Sequence, residues 1–341
     1  MPKRPKIRLW ITCGWNCRGG NRAGSIAMNN FYGGVNMKNI PIGAYIRQQR
    51  RTLKLTQEQV CDGICDPVTL SRIETNKQTP GRNLLNALLQ RLDMPDARYY
   101  ALSSNHELEI EALKKEIVAC NVTEKACEGL EKLQKLEDIA DEDDRLAKQF
   151  VLRTKVLLKS LLGEYDLEKQ LELLTKAICI TVPQFEISKI ENHLYTMDEI
   201  KIINQIGNTY SCMGQNEKAA DIFNQLLEYV QRHHRETMIT VGALPMVLYN
   251  YARIMDLSEQ YDEGAKYALK GKEACIQYGH YQCLPQCLEI YAECCYFLGK
   301  EKESIESYQQ AYYLCKVVGR KNDLDIIKHE MKKYFNIDLE C

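Results

Sequence analysis

The chain of 341 residues is long enough for two or three domains, and its net charge of −1 is unevenly distributed. Residues 1–36 carry six Lys and Arg and no acidic residue, residues 37–99 carry ten basic and six acidic residues, and the remainder carries 29 basic and 40 acidic residues. The acidic majority excludes non-specific nucleic-acid binding by the larger part of the chain, whereas the basic start is typical of a phosphate-binding segment.

Residues 1–36 are rich in Gly, Asn and Arg and show no helical or strand period. They predict a flexible basic leader, or an extension upstream of a natural start at Met37. The alternative is a basic arm that follows the phosphates and grooves of DNA. Two further segments are predicted after this leader: a small domain at residues 37–99 and a helical repeat domain at residues 100–341.

The stretch from Ile42 to Pro95 predicts four or five short helices, two of which have capped starts. Thr56 and Gln59 have the spacing of a capping box, in which each side chain accepts a hydrogen bond from the other residue's backbone amide. Asp66-Pro67 is the second start, with Asp as the N-cap and Pro at the first helical position. An inward apolar face is expected to lock the two helices together: Val60, Ile64, Leu70 and Ile73.

The second capped helix leaves polar side chains on its outer face, as a helix that enters the major groove of DNA requires. Thr69 and Arg72 are the candidates for base contacts, and Val68 is placed to pack on a thymine methyl group. The candidates for phosphate contacts are Gln57, Ser71 and Lys77.

The stretch resembles the lambda-repressor-like (XRE-type) helix-turn-helix family over residues 42–95. The family's Thr-Gln pair appears as Thr56-Gln57, and its Ser-Arg-Ile-Glu-Asn-Gly-Lys run appears as Ser71-Arg72-Ile73-Glu74-Thr75-Asn76-Lys77. Asn76 stands where the family has Gly, and Asn is the residue that best replaces Gly in a left-handed helix end. The resemblance implies a DNA-binding head, in which Pro67-Val68 replaces two polar residues of the reading helix.

From Asp96 onwards the pattern is helical and strand-like alternation is absent, which predicts an all-α chain. Small residues recur in three pairs whose members are twelve positions apart: Gly207 with Ala219, Ala252 with Gly264, and Ala292 with Ser304. Paired helices approach closely at small residues, and the pattern resembles the tetratricopeptide repeat, whose unit is about 34 residues. The units here recur after 45 and 40 residues. The expected fold is therefore a helix-turn-helix domain followed by a divergent tetratricopeptide-like α-solenoid.

Stacked helix pairs form a superhelix whose concave groove is lined by the first helix of each pair. Counting helical turns from the small residues places seven side chains on this face: Asn204, Asn208, Tyr249, Arg253, Glu289, Glu293 and Tyr296. Asn208 and Arg253 are expected to face solvent. Two Asn side chains one helical turn apart can hold a peptide backbone, and Arg253 can meet a carboxylate. The groove is thus the candidate peptide-binding site, and ordinary solvated polar residues are the alternative.

Other classes of protein find little support in the sequence. There is no Gly-rich phosphate loop, no G-x-S-x-G elbow and no H-E-x-x-H run, so an enzyme is not expected. The fifteen cysteines lack ligand-like spacing, so neither a metal nor a cofactor is expected. No apolar run approaches the roughly eighteen residues needed to span a bilayer, and no secretory cleavage pattern follows the start. We therefore expect a cytoplasmic chain in which the cysteines are reduced core residues.

A lambda-repressor-like head followed by degenerate tetratricopeptide repeats is similar to the RNPP family of Gram-positive bacterial regulators, as is the run Gly63-Ile64-Cys65. The resemblance implies a transcriptional regulator that binds a paired double-stranded DNA operator as a homodimer and senses a short quorum-sensing peptide through its repeats. Two alternatives remain open. One is a scaffold whose repeats bind a protein partner, and the other is a phage-type repressor whose repeats only dimerise.

Overall fold

A computed structural model describes residues 41–94, 105–123, 125–233, 238–279, 281 and 283–339, and over these residues the fold is all-α, as predicted, with no β-strand. The predicted leader at residues 1–36 lies outside the described residues. Fifteen α-helices follow one another in the described chain: α1 Ile42–Thr52, α2 Gln57–Cys61, α3 Pro67–Glu74, α4 Arg82–Arg91, α5 Asn105–Val122, α6 Ala126–Ile139, α7 Arg145–Leu161, α8 Leu167–Thr181, α9 Met197–Cys212, α10 Asn216–His233, α11 Met238–Leu257, α12 Tyr261–Tyr278, α13 Leu284–Phe297, α14 Glu301–Val318 and α15 Lys321–Phe335.

Helices α1 to α4 form the head, and both of its predicted caps are confirmed. The Thr56 hydroxyl accepts from the Gln59 amide at 3.1 Å, and the Gln59 side chain accepts from the Thr56 amide at 2.8 Å. Asp66 caps α3 by accepting from the Thr69 amide at 2.8 Å, with Pro67 at the first helical position. Asn76 adopts the predicted left-handed conformation, with φ of 57°. These caps satisfy backbone groups at the helix ends and so fix where α2 and α3 begin.

The apolar core of the head joins all four helices. Its fully buried members include Ile46 of α1, Val60 of α2, Leu70 and Ile73 of α3, and Leu88 of α4. The predicted inward face of α2 and α3 is therefore confirmed for Val60, Leu70 and Ile73, whereas Ile64 in the intervening turn is only half-buried. This packing holds the two helices of the helix-turn-helix in one arrangement.

Helices α5 to α15 form the body, a series of antiparallel pairs in which α5 packs on α6, α7 on α8, α9 on α10, α11 on α12, and α13 on α14. Helix α11 also packs against both α9 and α13, so these three first helices of their pairs lie side by side. Helix α15 closes the stack against α14. A longer connection that contains a short 3-10 turn at Ile190–Asn192 links α8 to α9.

The small residues that revealed the repeats lie at close helix contacts. A Cβ on Gly207 of α9 would come within 2.8 Å of the Phe223 ring of α10. A Cβ on Gly264 of α12 would come within 2.7 Å of Cys294 Sγ. In the third unit the Ser304 hydroxyl donates to the Ala292 carbonyl at 2.6 Å. The tetratricopeptide-like packing is therefore confirmed, with Phe223 and Cys294 filling the space that larger residues would otherwise occupy.

Most of the described cysteines are small core residues, as predicted. Cys275, Cys287, Cys294 and Cys315 are fully buried in the body, whereas Cys127 is exposed. Burial raises the pKa of the Cys315 thiol to about 12, with a smaller contribution from the charge of Asp323. Thiols of this kind pack as apolar groups and are weak nucleophiles at neutral pH.

Candidate DNA-reading helix and repeat groove

Helix α3 presents part of its predicted outer face to solvent. Val68 is 58% exposed, and Arg72 and Lys77 are exposed, whereas Thr69 and Ser71 are half-buried. The Thr69 hydroxyl donates to the Asp66 carboxylate at 2.7 Å, so it belongs to the cap of its own helix. Arg72 is the exposed cation within α3.

A buried carboxylate at the end of α3 connects this helix to α1 and α2. Glu74 accepts from Arg50 of α1, at 2.5 Å from Nε and 2.9 Å from Nη2, and from the side-chain Nε2 of Gln57 in α2 at 2.8 Å. Burial acts to raise the pKa of Glu74, but the hydrogen bonds from Arg50 and Gln57 and the nearby arginine charges outweigh it, and the pKa lies below its ordinary value. Gln57, a predicted phosphate contact, is thus also a structural ligand of Glu74.

The groove residues of α9 and α11 contact one another directly. Asn250 Nδ2 donates to Asn204 Oδ1 at 2.8 Å, and Arg253 Nη2 donates to Asn208 Oδ1 at 3.0 Å. Arg153 of α7 makes an equivalent bond one pair earlier, from Nε to Gln205 Oε1 at 2.8 Å. A row of polar contacts therefore follows the first helices of three successive pairs.

The expectation that Asn208 and Arg253 face solvent is wrong for Arg253, and four more of the seven groove residues are buried as well. The buried residues, each no more than 6% exposed, are Asn204, Tyr249, Arg253, Glu289 and Glu293. Asn208 and Tyr296 are half-buried. The first helices lie close enough for their polar side chains to face one another across the helix contacts, and buried polar groups need such partners. Counting turns along one helix cannot reveal this, because the contacts depend on the neighbouring pair.

The groove residues of α13 meet the last helix. The Tyr334 hydroxyl of α15 donates to Glu293 Oε1 at 2.9 Å. Tyr296 stacks on the Tyr334 ring with centroids 4.2 Å apart. Tyr296 therefore belongs to an aromatic cluster with the closing helix, a role that its position on α13 alone does not indicate.

One strong donor on α11 is left without a hydrogen-bond partner among the described residues. Arg253 is 6% exposed, and its Nε has no hydrogen-bond partner among the described residues. A buried donor without a partner is costly, and an acceptor that entered the groove would satisfy it. A carbonyl or carboxylate oxygen is the kind of acceptor that would satisfy it best, since bonds from a charged donor are the stronger ones.

Charged groups also lie at the beginning of α9. The half-exposed side chain of Asp198 pairs with Lys201, whose Nζ lies 3.0 Å from Asp198 Oδ1. Burial acts to raise the pKa of Asp198, but the charges of Lys201 and Arg153 hold it at about 2.

Sequence reasoning missed Arg153, Gln205 and Asn250. Gln205 and Asn250 occupy the same position 45 residues apart, so repeat alignment could have found those two.

Two structural findings bear on other kinds of site. Among the described residues, no group of three or more His, Cys, Asp or Glu side chains is placed to hold a metal ion. No helix in the described part of the chain combines the length and apolar character needed to cross a membrane.

The head and the body together define a class of protein: a helix-turn-helix unit carried on a tetratricopeptide-like solenoid. A helix-turn-helix family model matches residues 46–97, and a model described as the RNPP family C-terminal domain matches residues 122–336. The latter covers more than half of the chain. The chain therefore belongs to the RNPP family.

Solved structures share the fold. PlcR of Bacillus thuringiensis in complex with the peptide PapR7 and DNA is similar with a TM-score of 0.58 and 21% identity, over 84% of this chain and 98% of that one. The apo form of PlcR is similar with a TM-score of 0.54 and 20% identity, over 84% of this chain and 97% of that one. A comparison with curated proteins gave no match.

Proposed function

We propose that the chain is a cytoplasmic transcriptional regulator, without enzymatic activity, that binds operator DNA through α3 and a short signalling peptide in the groove of the body. Two features carry the proposal: α3 is capped and exposes Arg72, and the buried Arg253 Nε has no hydrogen-bond partner among the described residues. A solved structure with a similar fold, that of PlcR, contains peptide and DNA. The acidic body and basic head fit this division, because only the head attracts phosphates.

In the proposed DNA complex, α3 enters the major groove. Arg72 contacts a guanine edge, Thr69 contacts a base edge and Val68 packs on a thymine methyl group. Gln57, Ser71 and Lys77 contact phosphates and set the position of the head. The exposure of Val68, Arg72 and Lys77 supports these roles.

Replacing Arg72 with Ala tests the reading helix. The change should cost about 1–3 kcal/mol of binding free energy and relax the preference at one base pair, measured on duplexes that the wild-type chain selects from a random pool. Lys77→Ala is the matched control, because losing a phosphate contact weakens all sequences alike and lowers the salt slope by about one. Unchanged affinity and specificity in Arg72→Ala would show that α3 does not read DNA.

In the proposed peptide complex, an extended peptide lies along α9, α11 and α13. Asn204 and Asn208 exchange hydrogen bonds with its backbone, and Arg253 binds a carboxylate, for which the free C-terminus is the candidate. Tyr249, Glu289, Glu293 and Tyr296 complete the proposed site. The Arg253 Nε, which has no hydrogen-bond partner among the described residues, supports this arrangement.

The peptide site can be tested by thermal shift with pooled synthetic heptapeptides, in forms with a free or an amidated C-terminus. Since Arg253 is buried, Met is a better substitution than Ala because it fills more of the space. Arg253→Met should lose the stabilisation by free-carboxylate peptides, whereas Lys302→Met, which removes an exposed charge from α14, should keep it. A full response in Arg253→Met would place the site elsewhere on the body.

We further propose that the protein acts as a homodimer that reads two half-sites about 34 Å apart or a multiple of that, since one head makes too few base contacts for operator-level affinity. The repeat body is the larger surface available for dimerisation. Sedimentation of the full chain should show dimers at micromolar concentration. A chain that stays monomeric with and without duplex would contradict this assembly.

A further inference from the structure

The head and the body meet at a buried ion pair. Arg91, the last residue of α4, donates from Nη2 to Glu199 Oε1 of α9 at 3.1 Å, and the two side chains are 2% and 0% exposed. The same guanidinium donates from Nη1 to the Asp62 carbonyl at 2.6 Å, in the turn between α2 and α3. One side chain thus connects α4, the turn of the helix-turn-helix and the body.

The body holds the Glu199 carboxylate in a fixed position. Oε1 also accepts from the Thr181 hydroxyl at 2.5 Å, and Thr181 in turn accepts from Gln149 Nε2 at 2.5 Å. Oε2 accepts from the Thr196 amide at 2.5 Å, as the second half of the capping box that starts α9. Since α7, α8 and α9 all contribute to this network, the body determines where Arg91 can bind.

The turn of the head fits closely against the same place. Gly63 has φ of +67°, and a Cβ there would lie 1.9 Å from the Thr181 carbonyl oxygen. Gln90 Oε1 accepts from the Met197 amide of α9 at 3.0 Å. Helix α3 lies outside this contact between head and body, and its residue Val68 is 58% exposed. Docking on the body is therefore compatible with binding DNA.

Helix α9 carries both the docking residues and the groove residues. Glu199 lies in its first turn, and at 1.5 Å per residue Asn204 and Asn208 lie about 8 and 14 Å further along the same helix. A continuous helix moves largely as one body over this distance. A ligand that shifted α9 through Asn204 and Asn208 would therefore also move Glu199, the residue that binds Arg91.

We propose that Arg91 and Glu199 are positioning residues for DNA binding, and that α9 transmits occupancy of the groove to the head through them. This inference rests on the proposed function, because it assumes that the two heads of a dimer read one operator. With each head fixed on its body, binding of the first half-site places the second head at a high effective concentration near the other half-site. Without the ion pair that advantage is lost, while a single head still binds a single half-site.

Two variants of the full chain are designed to weaken the contact between head and body while both parts remain folded. Glu199→Gln removes the charge that faces Arg91 but suits the capping box, in which Gln serves as well as Glu. Its control is Glu217→Gln, the same change at an exposed site in the first turn of α10. Gly63→Ala blocks the contact from the head side, and its control is Gly214→Ala, which has the same left-handed strain with no atom within 4 Å.

Docking is measured without DNA, by hydrogen exchange of residues 61–66 and of the first turn of α9. Coupling is measured as affinity for the duplex selected by the wild-type chain, in forms with two half-sites and with one. We expect exchange at least tenfold faster in Glu199→Gln and Gly63→Ala, and affinity at least tenfold weaker for the two-site duplex alone. Both controls should behave as wild type.

Unchanged exchange, or an equal loss of affinity on both duplexes, would overturn the positioning role. A wild-type chain that selects no duplex would contradict the proposed function instead, and the exchange measurement would still decide whether Arg91 and Glu199 dock the head. The coupling through α9 requires one more result. A stabilising heptapeptide should change exchange at residues 61–66 in wild type and leave it unchanged in Glu199→Gln, and an equal change in both would refute the route through Glu199.

Discussion

Replacing Glu74 with Gln should loosen the head more than any single exposed change. The substitution keeps the shape but places an amide donor opposite two other donors, Arg50 and Gln57, and leaves the Arg50 guanidinium without its counter-charge. Removing one partner of a buried pair costs about 3–5 kcal/mol. We expect about 3 kcal/mol, because Arg50 keeps 12% of its side chain exposed and a bond to the Leu55 carbonyl at 2.9 Å.

Hydrogen exchange of the full chain measures this effect where it arises. A loss of about 3 kcal/mol corresponds to exchange roughly 100-fold faster, and it should appear together in α1, α2 and α3 because Glu74 joins them. Glu58→Gln is the control, since it removes the same charge from an exposed position on α2. Protection that stays within about threefold of wild type in Glu74→Gln would refute the idea that this carboxylate holds the three helices together.

The remaining predictions concern pH and packing. Because the folded-state pKa of Glu74 is lowered, its contribution to stability is complete above its ordinary value of 4.5 and is lost as the pH falls through the lowered value. The urea midpoint of the head should therefore fall on acidification below about pH 4.5, with a smaller slope in Glu74→Gln; equal slopes would contradict this. Gly207→Ala should cost about 1–3 kcal/mol, because its Cβ would lie 2.8 Å from the rigid Phe223 ring. Calorimetry should show a lower melting temperature of the body. An unchanged melting temperature would mean that α9 and α10 can move apart at this contact without loss of stability.

The local features of the fold could be predicted from the sequence because the interactions that produce them are local. The caps at Thr56 and Asp66 involve residues three positions apart, and each is present in the structure. The close helix contacts at Gly207 and Ser304 follow from small residues at a fixed spacing within one helix pair. In these cases the sequence contains both partners within a short window.

The candidate site was less predictable because its contacts join distant parts of the chain. Asn204 meets Asn250 across 46 residues, and Arg91 meets Glu199 across 108. Which side chains meet depends on how tightly successive pairs wind and on where the head rests, and neither has a local signal. Counting helical turns therefore placed Arg253 on the side of α11 that meets α9, but it predicted a solvent-exposed side chain where the structure has a buried one.

If the proposed peptide site is correct, the pairing of Asn204 with Asn250 and of Asn208 with Arg253 makes the groove selective. Water or a loosely matched peptide has to displace amide contacts that are already good, so it gains little by entering. In the proposed complex, a peptide that offers donors and acceptors at the matching spacing would replace those contacts and would also supply an acceptor for Arg253 Nε. Discrimination then comes from polar groups that a wrong ligand leaves unpaired, which rejects near matches more sharply than an apolar pocket of the same size.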